Sequence, residues 1–282
     1  MDKNKTINQI IKNAIAEDAC FHDITTQLVI PESKSSAAYI LFKEPATICG
    51  LAICQKVFRE LDPYLQFRSS FKDGDSVNKM TKVVFLKGKT RAILSAERVA
   101  LNFLGYLSGI ATRTQKFVKK MAPLKVKILD TRKTTPGLRI LERTAVRCGG
   151  GVNHRFNLAD MILIKDNHKV AGIKPRNLSN TIRRLKKSTH KKIEIEVDNL
   201  VEFKKALEAK PDIILLDNMS VQQMRKAVQL NRKQKSKTLL EASGGIHMNN
   251  VRSVAATGID CISIGGLTHH HESIDVSLEL VP

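Results

Sequence analysis

The chain has 282 residues, 42% apolar and 26% charged, so it is long enough to bury the core of one or two globular domains. Its net charge of +20 is compatible with nucleic-acid binding, an anionic substrate or a solvated lysine-rich surface, although 5% aromatic content without Trp argues against base stacking. We find no membrane-spanning run, no cleavable signal and no C-x-x-C pair among the five cysteines, and therefore expect a cytoplasmic protein with reduced thiols.

The first part of the chain predicts a mixed region of helices and short strands. Residues 1–19 have the apolar spacing of an amphipathic helix, and residues 51–61 repeat that spacing. Strand-like runs and turn signals complete this region at 38–42, 83–86, Asp73-Gly74 and Lys87-Gly88.

A long helix is predicted at 95–120, in the run SAERVALNFLGYLSGIATRTQKFVKKM. Ser95 is a candidate N-cap, with Glu97 in the first turn and lysines in the last, and Pro123 ends the pattern. By position alone, Glu97 and Arg98 are interpreted as charges on the helix surface.

Strand and helix patterns alternate from residue 125 onward, which predicts repeated β-α units and a parallel sheet. The strand candidates are 125–130, 161–166, 192–198, 212–218, 237–245 and 260–266. The helix candidates are 138–147, 176–188, 199–209, 220–231 and 248–257.

Nearly every predicted strand ends in a group that could bind or react. These strand-end groups are Asp130, Lys165, Glu196, Asp217, Glu241 with Ser243, and Gly265 with Gly266. In a β/α barrel the carboxyl ends of all strands converge on the active site, whereas a doubly wound sheet gathers its ligands at one switch point. The pattern favours a barrel, and six strands rather than eight suggest that it is incomplete.

Cations and glycines alternate along the segment 130–167. Arg132 and Lys133 follow a strand directly in DTRKTTPGLR, and His154 and Arg155 follow three glycines in GGGVNHR. Glycine allows close approach of the backbone to a ligand, and Arg and Lys supply donors for anions. We predict a site for a small, multiply anionic substrate, while a charged loop with a structural histidine remains the alternative.

Lys165 ends the apolar run MILIK, where it could clamp a negative charge or act as a Schiff-base nucleophile, and the residues alone do not separate these roles. Asp166, Asn167 and His168 are interpreted as turn-forming or supporting groups. Glu196 and Asp217 end neighbouring strands, and we predict Mg²⁺ there, with ion pairing to nearby cations as the alternative.

Two glycine turns follow the last predicted strands, Ser243–Gly244–Gly245 and the Gly265–Gly266 pair. Such turns in the late part of a barrel often hold phosphate. Of the three consecutive histidines that begin at His269, only His269 is close enough to these glycines in the chain to be included in the site.

Seven motifs together resemble quinolinate phosphoribosyltransferase: ERVALNFLGYLSGIAT, DTRKTTPGLR, GGGVNHR, LIKDNH, LLDN, LEASGGI and TGIDCISIGGLTH. The resemblance runs from about residue 7 through nearly the whole chain with the spacing intact. It implies an α/β fold, namely an N-terminal α/β (α+β) domain followed by an open, incomplete β/α barrel. We assign 1–115 to the first domain with its connecting helix, 116–270 to the barrel, and 271–282 to a segment that returns to the first domain.

The resemblance also implies the reaction and its partners. Quinolinate and phosphoribosyl pyrophosphate, with Mg²⁺, would give nicotinate mononucleotide, pyrophosphate and CO₂. A homodimer with active sites shared between subunits is expected, and neither nucleic acid nor a membrane is expected as a partner. The residues Gly-Asp, common in the family, are replaced by His22-Asp23, and Ser-Ala-like residues by His270-His271; both differences lie outside the predicted clamp.

Site roles follow from the matching positions. The quinolinate carboxylates would be clamped by Arg132, His154, Arg155 and Lys165, and Arg98 would enter the site of the other subunit. Lys133 and Lys165 would face phosphoribosyl pyrophosphate, and Glu196 and Asp217 would hold its metal and ribose hydroxyls. The 5′-phosphate would be bound by Ser243, Gly244, Gly245, Gly265 and Gly266, with His269 nearby. The groups expected to act in the chemical step are Lys133, Lys165, Glu196 and Asp217.

Three other functions remain alternatives. One is a phosphoribosyltransferase with another acceptor, such as the molybdenum-associated relatives. Another is an aldolase that uses Lys165 as a Schiff base. The third is a nucleic-acid-binding protein that exploits the positive charge, which the glycine turns and the scarcity of aromatics disfavour.

Overall fold

The structure, a computed structural model, describes residues 2–173 and 177–281. These residues form two compact units. The first falls within residues 1–115, 134–150 and 266–282, and the second within residues 116–133 and 151–265. No helix of the described residues is both long enough and apolar enough to cross a membrane.

The first part of the chain mixes helices with short strands, and from residue 127 onward strands alternate with helices. The helices are α1 (Lys3–Glu17), α2 (Ile24–Val29), α3 (Leu51–Leu61), α4 (Thr90–Met121), α5 (Arg139–Cys148), α6 (Asp166–Gly172), α7 (Leu178–Ser188), α8 (Leu200–Glu208), α9 (Val221–Lys233), α10 (Val251–Ala255) and α11 (Gly266–His269). The strands are β1 (Ser35–Phe42), β2 (Ala46–Thr47), β3 (Gln66–Arg68), β4 (Ser76–Val77), β5 (Thr81–Lys89), β6 (Lys127–Leu129), β7 (Ile162–Ile164), β8 (Ile193–Val197), β9 (Ile213–Asp217), β10 (Leu239–Ser243), β11 (Cys261–Ser263) and β12 (Val276–Leu280).

The first unit is built on a four-stranded sheet of order β12-β1-β5-β3, in which every pair is antiparallel. Strand β12, near the end of the chain, pairs with β1 from Ala38 opposite Leu280 to Phe42 opposite Val276. The residues before β12 pack on α4 so closely that a Cβ atom at Gly109 would overlap the carbonyl oxygen of Glu272. The glycine is therefore required for this contact.

Two local predictions in the first unit are wrong. Helix α4 begins at Thr90, so Ser95 lies inside the helix, and its hydroxyl donates to Asp23 Oδ2 at 2.9 Å instead of capping the helix. The predicted turn at Lys87-Gly88 is part of β5, which continues to Lys89. Gly88 is explained by crowding, because a Cβ atom there would lie 2.7 Å from Asp62 Oδ2.

The second unit is a six-stranded parallel sheet of order β6-β11-β10-β9-β8-β7. Strand β6 pairs with the last strand in the chain order of this unit, which is how a barrel begins to close. Within the described residues β6 has, on its other side, one parallel bridge from Leu129 to Val152 and no ladder to β7. This opening confirms the predicted α/β fold with an open, incomplete β/α barrel.

The predicted strands of this unit are present, each slightly shorter than the sequence pattern. All five residues of β8 are buried, as expected for a parallel strand covered on both faces. Asp166 and the two residues after it, interpreted from the sequence as turn-forming or supporting groups, form the first turn of α6. The helix predicted at 176–188 is observed as Leu178–Ser188, and residue 176 lies outside the described residues.

Candidate active site

The register of the second sheet brings polar side chains to one face near the carboxyl ends of its strands. Glu196 is aligned with Leu215, and Leu215 with Glu241, while Asp217 is aligned with Ser243. Side chains of aligned residues in neighbouring strands share a face, and so do alternate residues along a strand. One face therefore carries Glu194, Glu196, Asp217, Glu241 and Ser243.

Lys165 lies directly after β7, where it is the N-cap residue of α6. Its Nζ is 3.0 Å from Glu196 Oε2, and the lysine side chain is 47% exposed while that of Glu196 is 10% exposed. The ammonium group thus contacts a nearly buried carboxylate on one side and remains accessible to a ligand on the other. This geometry suits a charge clamp for an anion.

Asp217 is the last residue of β9, and its Oδ2 accepts a hydrogen bond from Asn218 Nδ2 at 2.8 Å. Burial raises the pKa of the Asp217 carboxyl, and the negative charge of Glu196 raises it further. Neighbouring carboxylates that disfavour each other's charge are stabilised by a cation. The donor set therefore fits Mg²⁺, which takes one or two carboxylates and completes its shell with water and phosphate.

His154 lies between two buried carboxylates. Its Nε2 is 3.0 Å from Glu194 Oε2 and 3.4 Å from Glu241 Oε2, and both glutamate side chains are at most 1% exposed. Burial by itself would lower the pKa of His154, but the adjacent carboxylates of Glu194 and Glu241 raise it to about 10. The imidazole is therefore cationic at neutral pH, which suits contact with an anionic ligand.

Asp130 holds the segment that carries His154. The carboxylate of Asp130 is fully buried and accepts hydrogen bonds from Asn153 Nδ2 at 2.6 Å and from the main-chain N–H of His154 at 2.7 Å. Burial lowers the pKa of Arg155, and the charge of Arg132 lowers it further. Two guanidinium groups whose positive charges repel each other favour the binding of an anion between them.

The turn after β10 has a geometry that only glycine permits. Gly244 has φ +84°, and a Cβ atom there would overlap the side chain of Asn218. Gly245 follows with φ +59°, and the carbonyl of Ser243 accepts a hydrogen bond from Asn218 N at 2.9 Å. The turn leaves its main chain open to a ligand at the same edge of the sheet as Asp217.

The remaining predicted residues fall into both units. In the second unit Lys133 is exposed beside Arg132. Gly265 lies two residues after the end of β11, and the residue between them, Ile264, donates a main-chain hydrogen bond to Leu129 O at 3.0 Å. In the first unit Arg98 is an exposed residue of α4 beside a cavity of about 340 Å³. There Gly266 begins α11 and His269 ends it, with the His269 ring 4.2 Å from that of His270.

Sequence reasoning missed Glu194 as a site residue and noted Glu241 only as a strand-end group. Glu194 is the second residue of β8, two residues before Glu196 in the run IEIEV. The alternation of Glu with Ile in that run was a usable signal, because it predicts both carboxylates on one face. Among the described residues, His154, Glu194 and Glu241 also form a cluster of potential metal ligands, whose nitrogen and oxygen atoms lie within 4.8 Å of one another.

A second cavity, of about 620 Å³, lies at the opposite, amino ends of the strands, where β9 and β10 begin. It is lined by five exposed lysines and by residues 211–213, Ser236, Thr238 and Leu239 at the starts of these strands. The lysines are Lys186, Lys192, Lys210, Lys235 and Lys237. The cavity is larger than the one beside Arg98, but it holds neither the carboxylates nor the glycine turns of the candidate site.

The fold and the site define a class of protein, a β/α-barrel enzyme that presents cations, carboxylates and glycine turns to an anionic substrate at the strand ends. Family models for the N-terminal and C-terminal domains of quinolinate phosphoribosyl transferase match residues 23–108 and 110–279. The chain belongs to the quinolinate phosphoribosyltransferase family.

Similar proteins match over most of their length. The chain is 40% identical to the probable nicotinate-nucleotide pyrophosphorylase (carboxylating) of Methanocaldococcus jannaschii, covering 97% of this chain and 96% of that protein. It is 36% identical to quinolinate phosphoribosyltransferase (decarboxylating) 1b of Nicotiana tabacum, covering 96% and 81%. The solved structure of the nicotinate-nucleotide pyrophosphorylase of Francisella tularensis is 39% identical, with a TM-score of 0.91 and coverage of 99% and 97%.

Proposed function

We propose that the protein transfers the phosphoribosyl group of phosphoribosyl pyrophosphate to quinolinate and releases CO₂, giving nicotinate mononucleotide and pyrophosphate in the de novo synthesis of NAD. The observation that carries this proposal is the contact of Lys165 with Glu196 beside Asp217, at the strand ends of a barrel that the family model covers. Both substrates are anions, and the pocket that binds them has to be cationic.

Quinolinate carries two carboxylates on adjacent ring carbons, and we assign them to Arg132, His154, Arg155 and Lys165. The raised pKa of His154 keeps that ring charged. A bound anion offsets the repulsion between the positive charges of Arg132 and Arg155. Arg donors can grip a carboxylate with two parallel hydrogen bonds, which fixes the orientation of the pyridine ring. The ring nitrogen is then aimed at the sugar.

Phosphoribosyl pyrophosphate is assigned to the other side of the same strand ends. Lys133 and Lys165 would face its phosphates, and Glu196 and Asp217 would hold Mg²⁺ and the ribose hydroxyls. When bound, Mg²⁺ supplies positive charge to the departing pyrophosphate. The 5′-phosphate would be bound by Ser243, Gly244, Gly245, Gly265 and Gly266, with His269 nearby.

In the proposed chemistry the pyridine nitrogen attacks the anomeric carbon as pyrophosphate leaves through an oxocarbenium-like state. The protein's part is to position both reactants and to stabilise negative charge with cations placed in advance. After ribosylation the pyridinium ring accepts the electron pair that is left when the 2-carboxylate departs as CO₂. That step needs no organic cofactor, and a proton then replaces the carboxylate.

We further propose a homodimer in which Arg98 of one subunit completes the active site of the other. Arg98 is exposed on α4, beside a cavity of its own unit, so its guanidinium group is available to a partner. We expect the enzyme to act in the cytoplasm, where both substrates would be available.

Release of labelled CO₂ tests the assignment. Purified protein is incubated with phosphoribosyl pyrophosphate and carboxyl-labelled quinolinate, with Mg²⁺ or with EDTA, and nicotinate replaces quinolinate in a parallel reaction. We expect Mg²⁺-dependent CO₂ release and nicotinate mononucleotide from quinolinate alone. Product from nicotinate without CO₂ would instead support another acceptor, and a borohydride-trapped adduct on Lys165 would support the aldolase alternative.

A further inference from the structure

Two cysteine sulfur atoms meet in the first unit, and the four residues assigned to the chemical step belong to the second unit. Cys49 and Cys148 are both free thiols, and their Sγ atoms lie 3.3 Å apart. A disulfide bond is about 2.05 Å long, so a small movement of the side chains brings the sulfurs to bonding distance. Cys49 is fully buried, whereas Cys148 at the end of α5 is partly exposed.

The backbone on both sides of this pair is fixed by α4. Ser108 Oγ accepts a hydrogen bond from Cys49 N at 3.0 Å and donates to Cys49 O at 3.2 Å, so one hydroxyl holds both main-chain groups. Gly149, next to Cys148, packs so tightly that a Cβ atom there would lie 2.6 Å from Thr114 Cβ. Because both residues pack against the same helix, α4, the packing of the unit sets the short distance between the two sulfur atoms.

The two thiols differ in acidity, and Cys148 is the more acidic of the two. The Cys49 S–H donates a hydrogen bond to Cys148 Sγ and lowers the pKa of Cys148, which the nearby Arg147 charge also lowers. The same hydrogen bond, followed by burial, raises the pKa of Cys49 well above 9.0. Cys148 is therefore the more acidic and the more accessible thiol of the pair, and Cys49 is the less acidic neighbour.

We propose that Cys49 and Cys148 form a site of reversible oxidative modification, in which hydrogen peroxide converts the dithiol to an intramolecular disulfide. In the first step the Cys148 thiolate attacks the peroxide oxygen, the O–O bond breaks, and the hydroxide that leaves takes a proton to become water. Cys148 is then a sulfenic acid. In the second step Cys49 sulfur attacks Cys148 sulfur, and the hydroxyl group leaves with the Cys49 proton as a second water molecule.

The other three cysteines provide internal controls. Burial raises the pKa of Cys20, Cys54 and Cys261, and in Cys261 it raises the pKa to about 12. All three are buried. We therefore expect them to react more slowly with a peroxide than Cys148 does.

The experiment uses the full-length protein, reduced and freed of metal, with hydrogen peroxide as the oxidant. After excess peroxide is removed, the protein is denatured, the remaining thiols are blocked, and a non-reduced digest is analysed by mass spectrometry. We expect the loss of two thiols, one peptide that joins Cys49 to Cys148, and recovery of both thiols with dithiothreitol. In Cys49→Ser, dimedone should trap a sulfenic acid on Cys148, whereas Cys54→Ser should form the same linkage as the unsubstituted protein.

Three results would overturn the proposal. The first is a Cys49–Cys148 pair that stays reduced while other thiols oxidise. The second is a disulfide between two chains rather than within one. The third concerns Asp73, whose carboxylate lies within 4.8 Å of both sulfurs and could complete a site for a soft cation. If Zn²⁺ copurifies with the protein and shields the pair until EDTA removes it, the residues bind metal instead.

Discussion

His154 Nε2 lies 3.0 Å from a carboxylate oxygen of Glu194, a residue of β8 whose side chain is fully buried. Glu241, on a strand further along the same sheet, approaches the same nitrogen at 3.4 Å. A buried carboxylate is costly unless it is paired, so the two glutamates and the histidine depend on one another. The pairing makes the charge of His154 a property of the barrel core rather than of the loop that carries it.

Removing one of these carboxylates should change the titration of His154. In Glu194→Gln we expect the pKa of His154 to fall from about 10 towards its ordinary value of 6.5, because one of the two groups that raise it is gone. The histidine ring signals in a pH-dependent NMR series give this pKa directly. Glu202→Gln, which breaks only the Lys169–Glu202 pair, is the matched control and should leave the titration unchanged. An unaltered His154 titration in Glu194→Gln would refute the coupling.

The contact between Lys165 and Glu196 predicts a loss of catalysis when the lysine is removed. Lys165→Ala should reduce turnover by at least about tenfold, because a cation facing both substrates is lost. Lys169→Ala is the control, since Lys169 lies on the same helix, α6, and also pairs with a glutamate. Steady-state rates with both substrates at saturation measure the effect. If both variants retain normal turnover, Lys165 is not part of the site.

Much of the fold follows from local patterns in the sequence. Helix α3 has the predicted bounds, Leu51–Leu61, because its apolar spacing is regular and the Asp73 carboxylate accepts from the N–H groups of Gly50 and Leu51 at its start. The order of the barrel strands follows from the β-α alternation. The predicted start of α4 was wrong because the hydroxyl of Ser95 bonds to Asp23, which is distant in the chain, and a capping pattern does not reveal such a partner.

The candidate site shows the same division between local and tertiary information. Strand-end residues such as Lys165 and Asp217 were identifiable because parallel strands end together. The alternation in β8 predicts only that Glu194 shares a face with Glu196, because the partner of Glu194 is a histidine 40 positions earlier in the chain, on a loop that Asp130 holds against the sheet. Sequence spacing does not predict which buried carboxylate meets which loop.

The turn at Gly244 predicts a steric effect. Gly244→Ala should destabilise the protein by about 1–3 kcal/mol, because the residue has φ +84° and the added methyl group overlaps the Asn218 side chain. We also expect a raised KM for phosphoribosyl pyrophosphate, since the turn is assigned to the 5′-phosphate. Gly172→Ala is the control, because nothing lies within 4 Å of a Cβ atom there. Thermal unfolding and initial rates measure the two effects, and an unchanged KM would remove the turn from the phosphate site.

The proposed sharing of active sites predicts that two inactive variants restore each other. Arg98→Ala loses the residue assigned to the partner's site, and Lys165→Ala loses one assigned to its own barrel. In a mixed dimer, the barrel of the Arg98→Ala subunit keeps its lysine and receives Arg98 from the other subunit. One of the two sites is then intact, so the isolated mixed dimer should have about half of the normal activity.

Co-expression of the two variants with different affinity tags, followed by sequential purification on both tags, isolates the mixed dimer for assay. The control pairs Lys165→Ala with Glu196→Gln, two changes assigned to the same barrel, and should show no recovery because each site retains one defect. If Arg98 acts within its own subunit, the first pair will also fail to recover, since every site will again carry one defect. Recovery in the first pair but not in the second therefore supports a contribution of Arg98 across the dimer and is not explained by a general effect of mixing.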